Sequence, residues 1–295
     1  MVIDSHQHVF WHGRNDIDLI NDMDINEIDQ SWLLTWEIPP DQDDRSYHSI
    51  LNPIHIRSDG SHSGIPLSDL IIARDRAPER FILGYCPNPS LDSAPELFEV
   101  AVKMYDVKVC GEWKFRVLID NPSSIKLFNK AGEHNCPVIL HLDVPWIMNQ
   151  KGRRVYQKNW YGGNIHNLES VLLACPQVNF IGHGPGFWRE ISADSSEDSD
   201  IYPKGPVIEG GEIHRIFYKY DNLYADLSAG SALNAIKRDM VHAKNFIHEF
   251  SDRLLFGRDY FGSELIDILN ELDLSTAIRE KIFSGTAKKL LGENN

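Results

Sequence analysis

The sequence predicts an α/β chain folded as a (β/α)8 TIM barrel. Three observations carry that expectation. Short apolar runs alternate with helical segments along the whole length, the pattern of parallel strands joined by crossover helices. Eight such runs occur, and 295 residues suit a barrel, which needs about 250. Histidines and carboxylates recur at the C-terminal ends of these runs, the rim on which such barrels carry their active sites. A doubly wound open sheet is the competing architecture, but no glycine-rich phosphate loop supports it. One domain spanning residues 1–295 is expected.

The first strand, Ile3-Asp4-Ser5-His6-Gln7-His8, ends in two histidines with one residue between them. Side chains alternate along a strand, so His6 and His8 share a face and converge just past its end. Neutral imidazole is a common metal ligand, and such a pair makes half of a zinc site. A chance pair or a tag remnant is the plainer alternative. Residues 16–23 read as a weak helix and 31–36 as the second strand. Residues 37–65 have no clear period and hold Pro39-Pro40 and Asp43-Asp44, marking a long loop of the kind that often carries function. A helix over 67–76 leads to a strand over 81–85. The helix over 95–105 carries Leu97, Val100, Ala101 and Met104 on one stripe.

Residues 107–115 form the fourth strand, with Val107, Val109, Gly111 and Trp113 on one face and Lys108, Cys110, Glu112 and Lys114 on the other. Trp113 is large and apolar, so it is expected between barrel and helices, which turns Glu112 and Lys114 into the barrel. A buried carboxylate needs a partner. Lys114 is a loose one, about 7 Å along the strand; a cation held by His6 and His8 is stronger, so Glu112 is expected to contact metal. A helix over 123–134, introduced by Asn121-Pro122, precedes a strand over 137–141. A helix over 164–174 and a strand over 178–183 follow. Residues 184–210 are rich in glycine, proline and acids, and Asp194-Ser195-Ser196-Glu197-Asp198 reads as a solvated loop. The remainder is a helix over 212–220, a strand over 223–227, one long helix over 232–250, a strand over 254–257 and two closing helices.

The candidate ligands therefore fall on one rim: His6, His8, Glu112, His141, His183 and Asp259. Singly, each has a duller explanation. His141 or His183 could be a hydrogen-bonded core histidine, Glu112 an ion-pair partner of Lys114, and Asp259 a cap for a helix starting near Ser263. Their coincidence at strand ends is the specific signal.

Composition narrows the partners. A net charge of −14 opposes binding to nucleic acid or anionic membranes. No signal-like segment or membrane span is present. Cys86, Cys110, Cys136 and Cys175 form no C-x-x-C pair and suit a reduced, cytoplasmic protein. The expected partner is a small-molecule substrate, with self-association into a homo-oligomer an open alternative.

On these residues the chain resembles the amidohydrolase superfamily, in its amidohydrolase-related (amidohydrolase 2) branch. The carrying motifs are Asp4-Ser5-His6-Gln7-His8, Pro137-Val138-Ile139-Leu140-His141-Leu142-Asp143, Phe180-Ile181-Gly182-His183-Gly184 and Leu254-Leu255-Phe256-Gly257-Arg258-Asp259. Phe283-Ser284-Gly285-Thr286-Ala287-Lys288-Lys289-Leu290-Leu291 is similar to the terminal helix, although Thr286 stands where asparagine is usual. The resemblance implies a divalent-metal-dependent hydrolase of an amide, ester or lactone. Its alternative is a nonoxidative decarboxylase of an aromatic or related carboxylic acid; a non-catalytic binding protein on a degenerate barrel is a third reading. It further implies that His6, His8, His141 and Asp259 hold metal and that His183 is a ligand or an acid/base. A strand-four carboxylate such as Glu112 occurs in only some members, which separates two-metal from one-metal sites. Zinc is the expected ion and manganese the alternative.

In such chemistry zinc lowers the pKa of a bound water to about 7. Asp259 would accept the water's proton and pass it to the leaving group, with a protonated His183 or the metal stabilising the oxyanion. Lys114, Arg116 and Arg189 are candidate substrate-binding groups; Lys151, Arg153, Arg154 and Lys204 are further basic residues in the loops. A basic cluster beside the metal would point to an anionic substrate, although each cation singly is more often a surface charge.

Overall fold

The computed structural model describes residues 1–149, 151–195 and 200–293. Eight strands form the barrel: β1 (Ile3–Gln7), β2 (Gln30–Leu34), β3 (Phe81–Gly84), β4 (Cys110–Trp113), β5 (Val138–His141), β6 (Phe180–His183), β7 (Leu223–Asp226) and β8 (Leu254–Leu255). All are parallel to their neighbours. Two seams close the ring. β3 meets β4 through a parallel bridge between Gly84 and Val109, and the Ser5 amide beside β8 donates to Phe256 O at 2.9 Å. Helices α1 (Asp16–Ile25), α2 (Leu67–Arg76), α3 (Ala94–Tyr105), α4 (Pro122–Glu133), α5 (Ile165–Ala174) and α6 (Glu212–Lys219) follow the first six strands. α7 (Ala229–Lys237) and α8 (Met240–Phe250) separate β7 from β8, and α9 (Glu264–Glu271) follows β8. No helix among the described residues is long and apolar enough to cross a membrane.

Ile3, Trp32, Leu34, Val109, Ile139, Ile181, Tyr224 and Leu255 fill the barrel interior, joined by Ala287 and Leu290 of the closing helical turn. A larger apolar layer between strands and helices contains Trp113, Phe115, Phe128 and Phe180. Thr286 is buried against this end, its hydroxyl 3.5 Å from Ser251 O.

Three local expectations change. In β4, Val109 joins the interior cluster while Cys110 and Trp113 join the outer layer. Strict alternation cannot do this; the register against β5 shifts between Cys110 and Trp113, and such a bulge resets the faces. On α3 the stripe of Leu97, Val100 and Met104 is solvent-facing at 41, 52 and 70% exposure. The face turned inward is that of Ala94, Phe98 and Ala101. The long helix over 232–250 is two helices, because the Asp239 carboxylate accepts from the His242 amide at 3.0 Å and starts α8 afresh.

The loops are also more ordered than their sequence period suggests. Trp36–Glu37 pairs antiparallel with Gly64–Ile65. Gly64 has φ +86°, and a Cβ there would lie 1.8 Å from Trp36 O, so only glycine fits. Trp146–Met148 and Arg154–Tyr156 form a hairpin on the β5 side. Of the acidic run after β6, Ser196, Glu197 and Asp198 lie outside the described residues.

The two ends of the barrel sequence are tied by one cation. Arg258 Nε lies 2.7 Å from Asp4 Oδ2 and its Nη1 2.6 Å from Asp22 Oδ2. Asp4 is fully buried. Removing one partner of a buried ion pair strands the other charge, at a cost of about 3–5 kcal/mol. Arg258→Ala is therefore expected to lose stability of that order in urea unfolding of the metal-free protein; a loss below about 1 kcal/mol would show that Asp4 is reached by solvent.

Candidate metal centre

Seven ionisable groups meet above the apolar floor. The ends of β1, β4, β5, β6 and β7 supply His6, Glu112, His141, His183 and Asp226; His8 follows β1 and Asp259 follows β8. All except Asp259 are buried. Asp259 has φ +53°, a conformation aspartate tolerates. Its amide donates to His6 O at 2.8 Å, folding the segment after β8 back onto β1. α9 begins beyond Ser263 without a side-chain cap, so Asp259 is not its capping residue.

The imidazoles are aimed from behind. Asp226 takes His6 Nδ1 on Oδ2 at 2.8 Å and His183 Nδ1 on Oδ1 at 2.9 Å. Ser228 donates its hydroxyl to Asp226 Oδ1 at 2.7 Å. His8 Nδ1 lies 2.8 Å from Leu34 O and must be its donor. With the protons on Nδ1, the Nε2 lone pairs of His6, His8 and His183 face inward. Burial opposes charge on His183, but Asp226, Glu112 and Asp259 outweigh it and raise the ring's pKa.

Those nitrogens converge on two carboxylates. Asp259 Oδ1 is 3.5 Å from His8 Nε2 and 3.7 Å from His6 Nε2, and Asp259 Oδ2 is 3.7 Å from His183 Nε2. Glu112 Oε2 is 3.5 Å from His8 Nε2, and Glu112 Oε1 is 3.7 Å from His183 Nε2. Two overlapping sets, His6–Glu112–His183 and His6–His8–Asp259, each bring their donor atoms within 4.8 Å of one another. His6 Nε2, His183 Nε2 and Glu112 Oε2 are buried without any hydrogen-bond partner. Orphaned polar atoms at a point of convergence fit a cation, and mixed imidazole and carboxylate donors suit a divalent ion.

His141 stands outside both sets. Its Nδ1 lies 2.6 Å from Glu112 Oε1, so it touches the centre through that carboxylate. Burial and the Lys114 charge push the His141 pKa down to about 3. Burial would raise the Glu112 carboxyl, but Lys114, His141 and His8 hold it well below its ordinary range.

The centre opens into a cavity of about 430 Å³ lined by Lys114, His141, Asp143, Tyr161, His183 and Asp259, among others. Lys114 Nζ is 3.8 Å from Glu112 Oε2, beyond hydrogen-bond range, and sits 4.2 Å over the Trp36 ring. Tyr47 and Tyr161 share a hydroxyl contact of 2.8 Å across the mouth. Arg116 lies behind that wall, its Nη2 2.7 Å from Asn159 Oδ1. Arg189 is buried beside Glu190 at 3.0 Å and does not line the cavity. Arg154 stacks on Trp146 of the hairpin, and Lys204 reaches Asn234. Burial raises the Asp143 carboxyl to about 7.

Asp226 and Ser228 are functional neighbours that the strand-end reading passed over. Their signal was present: Leu223-Tyr224-Ala225-Asp226 is an apolar strand ending in an acid, like the strands that end in His141 and His183.

A closed parallel barrel carrying this donor cluster on its C-terminal rim defines a class, and the sequence places the chain in it. The family profile described as amidohydrolase matches residues 69–292, and the chain belongs to that family. No curated protein sequence matches it significantly. Among solved structures it is similar to 2,6-dihydroxybenzoate decarboxylase from Rhizobium, at 16% identity over 93% of this chain and 87% of that one, with a TM-score of 0.56. It is similar to 5-carboxyvanillate decarboxylase from Sphingomonas paucimobilis, at 13% identity over 99% and 98%, TM-score 0.58. A Pseudomonas putida protein assigned as a 2-pyrone-4,6-dicarboxylic acid hydrolase shares 14% identity over 100% and 98%, TM-score 0.57. At such identities the likeness establishes the barrel fold.

Asp226→Asn tests the aiming device. An amide cannot accept from both Nδ1–H groups, so one ring must turn or change tautomer. Metal affinity is expected to fall 10- to 100-fold, the usual loss for a group supporting ligands from behind. Titration of the stripped protein with zinc reads this directly, and an unchanged affinity would show that the backbone alone orients His6 and His183.

Proposed function

We propose that the protein is a zinc-dependent hydrolase of a small anionic amide, ester or lactone. The observation that carries this reading is the set of unpartnered donor atoms at His6, His183 and Glu112, placed at the base of a cavity that also presents Lys114. His6, His8, Glu112 and Asp259 would hold the ion, with His141 supporting Glu112 and His183 standing beside it as an acid/base. When bound, a divalent ion supplies a lowered water pKa and polarisation of a substrate oxygen.

The chain's own groups divide the remaining work. Asp259 retains 15% side-chain exposure whereas Glu112 retains 1%, so Asp259 is the cluster carboxylate that a water in the cavity can reach. It accepts the water's proton and delivers it to the leaving group. His183, made basic by Asp226, donates toward the oxygen on which charge develops. Lys114 offers its ammonium to a substrate carboxylate, and Arg116 stiffens the wall beside it through Asn159. The acidic surface and the four buried, unpaired cysteines support a reducing, cytoplasmic setting and a small-molecule partner rather than nucleic acid or membrane.

Nonoxidative decarboxylation of an aromatic acid is the second reading. Tyr47, Tyr161 and Tyr202 all line the cavity and would flank a planar ring. Release of carbon dioxide from hydroxybenzoates, with no turnover of lactones or amides, would decide for it.

Chelation is expected to abolish turnover of a lactone, amide and aromatic-acid panel, with zinc or manganese restoring it. Full turnover by protein shown to be metal-free would end the metal-dependent reading. Asp259→Asn keeps a ligand oxygen but removes the base. We expect kcat to fall about 10²- to 10⁴-fold while most of the metal stays bound; near-normal kcat would move the proton acceptor to His183.

A further inference from the structure

Helix α7 brings its first turn to the wall of the active cavity. It is nine residues long and starts just after β7. Ala229 and Ser231 of that first turn both line the cavity. The leading amides of a helix have no partner within it and carry the positive end of its dipole. The usual remedy is missing here. Ser228 stands at the cap position but makes no side-chain capping bond, because its hydroxyl is committed to Asp226 Oδ1 at 2.7 Å. The Ala229 amide is satisfied by Arg258 O at 3.0 Å; among the described residues no side chain caps the amides that follow.

Ser231 adds a second donor. It is 3% exposed, and its Oγ is buried without a hydrogen-bond partner. A serine near a helix start ordinarily bonds to nearby backbone or to solvent. An orphaned hydroxyl on a cavity wall instead leaves a place for a ligand atom. Tyr202 also lines the cavity and packs over this turn, its Cε1 3.8 Å from the position a Cβ on Gly230 would take.

Amide and hydroxyl donors at a helix start suit an oxyanion, and the segment after the seventh strand is a recurrent phosphate-binding place in such barrels. Lys114 enters the same cavity from β4, three places from β7 in the ring. The cavity thus carries two anion-binding elements on different walls. Its acids do not cancel them. Asp259 faces the imidazole nitrogens at 3.5–3.7 Å, and burial raises the Asp143 carboxyl to about 7.

We propose that the start of α7 and the Ser231 hydroxyl form an oxyanion subsite, and that the substrate carries two acidic groups. Lys114 takes a carboxylate, and α7 takes a second carboxylate or a phosphoryl group. This rests on the hydrolase reading for the cavity's role as the substrate site, and it narrows the substrate class from an anion to a dianion.

The test is calorimetric binding to the zinc-loaded full-length chain, for wild type, Ser231→Ala and Ser231→Asp. The probes are glutarate, 3-phosphonopropionate and the monoanion butyrate. Contacts with zinc and Lys114 are open to all three, so the ratio of dianion to monoanion affinity isolates the α7 subsite. Wild type is expected to prefer a dianion by about tenfold or more, the worth of one hydrogen bond to a charged group. The tighter dianion identifies the group held, carboxylate or phosphoryl. Ser231→Ala is expected to remove most of that preference. Ser231→Asp is expected to abolish it, since an acid in the first turn suits the helix but repels an oxyanion. Equal affinities in wild type, no measurable binding of any probe, or a preference unchanged in both variants would overturn the subsite. Parallel weakening of all three probes would overturn it too, since that is the mark of a structural role. A chain that shows the dianion preference yet turns over no amide, ester or lactone would sink the hydrolase reading and leave the subsite standing.

Discussion

The centre depends on a single buried carboxylate having both of its oxygens occupied. Asp226 receives one imidazole on each side and a serine hydroxyl as well. Burial alone would raise its pKa, but the two rings hold it well below the ordinary aspartate range. Its ionised state in turn keeps a proton on each Nδ1. From that one constraint follow the inward lone pairs, the placement of Glu112 and Asp259 opposite them, and the orientation of the whole rim. Few residues in the chain govern so many others.

Charge accounting explains why such a cluster is tolerable above an apolar floor. Glu112, Asp226 and Asp259 bring three negative charges, and Lys114 returns one positive charge. Two negative charges remain with neutral imidazoles around them. An uncompensated pair in a buried site would be costly, and a divalent cation balances it. Lys114, held over Trp36 rather than hydrogen-bonded to Glu112, stays available to a ligand entering from the mouth.

Much of this was legible before any coordinates, and the reasons differ by element. The period of two was enough to pair His6 with His8, even though the register of β1 against β2 shifts between Asp4 and Gln7. The barrel followed from strand–helix alternation, since buried parallel strands are continuous apolar runs. In β4 the inward Glu112 was anticipated from the outward Trp113, yet Val109 and Cys110 exchange faces because a bulge has no period. The α3 stripe misled for another reason: the buried face is that of Ala94, Phe98 and Ala101, while Leu97, Val100 and Met104 face outward. Asp239 split a helix that hydrophobic spacing alone joins. Asp226 escaped notice because an acid at a strand end looks like a helix-entry residue until its two histidine partners are placed in space.

The tie between the first and last strands also carries a temporal meaning. His6 and His8 leave the ribosome well before Arg258 and Asp259, which emerge only after β8. Asp4, fully buried in the finished barrel, has no cation beside it until Arg258 arrives. A growing chain therefore carries His6, His8, Glu112 and His183 well before Asp259 is available to complete the centre. A chain cut short before β8 leaves an open sheet edge at β1 and β7, and the segment that closes the ring also brings Asp259 to the centre.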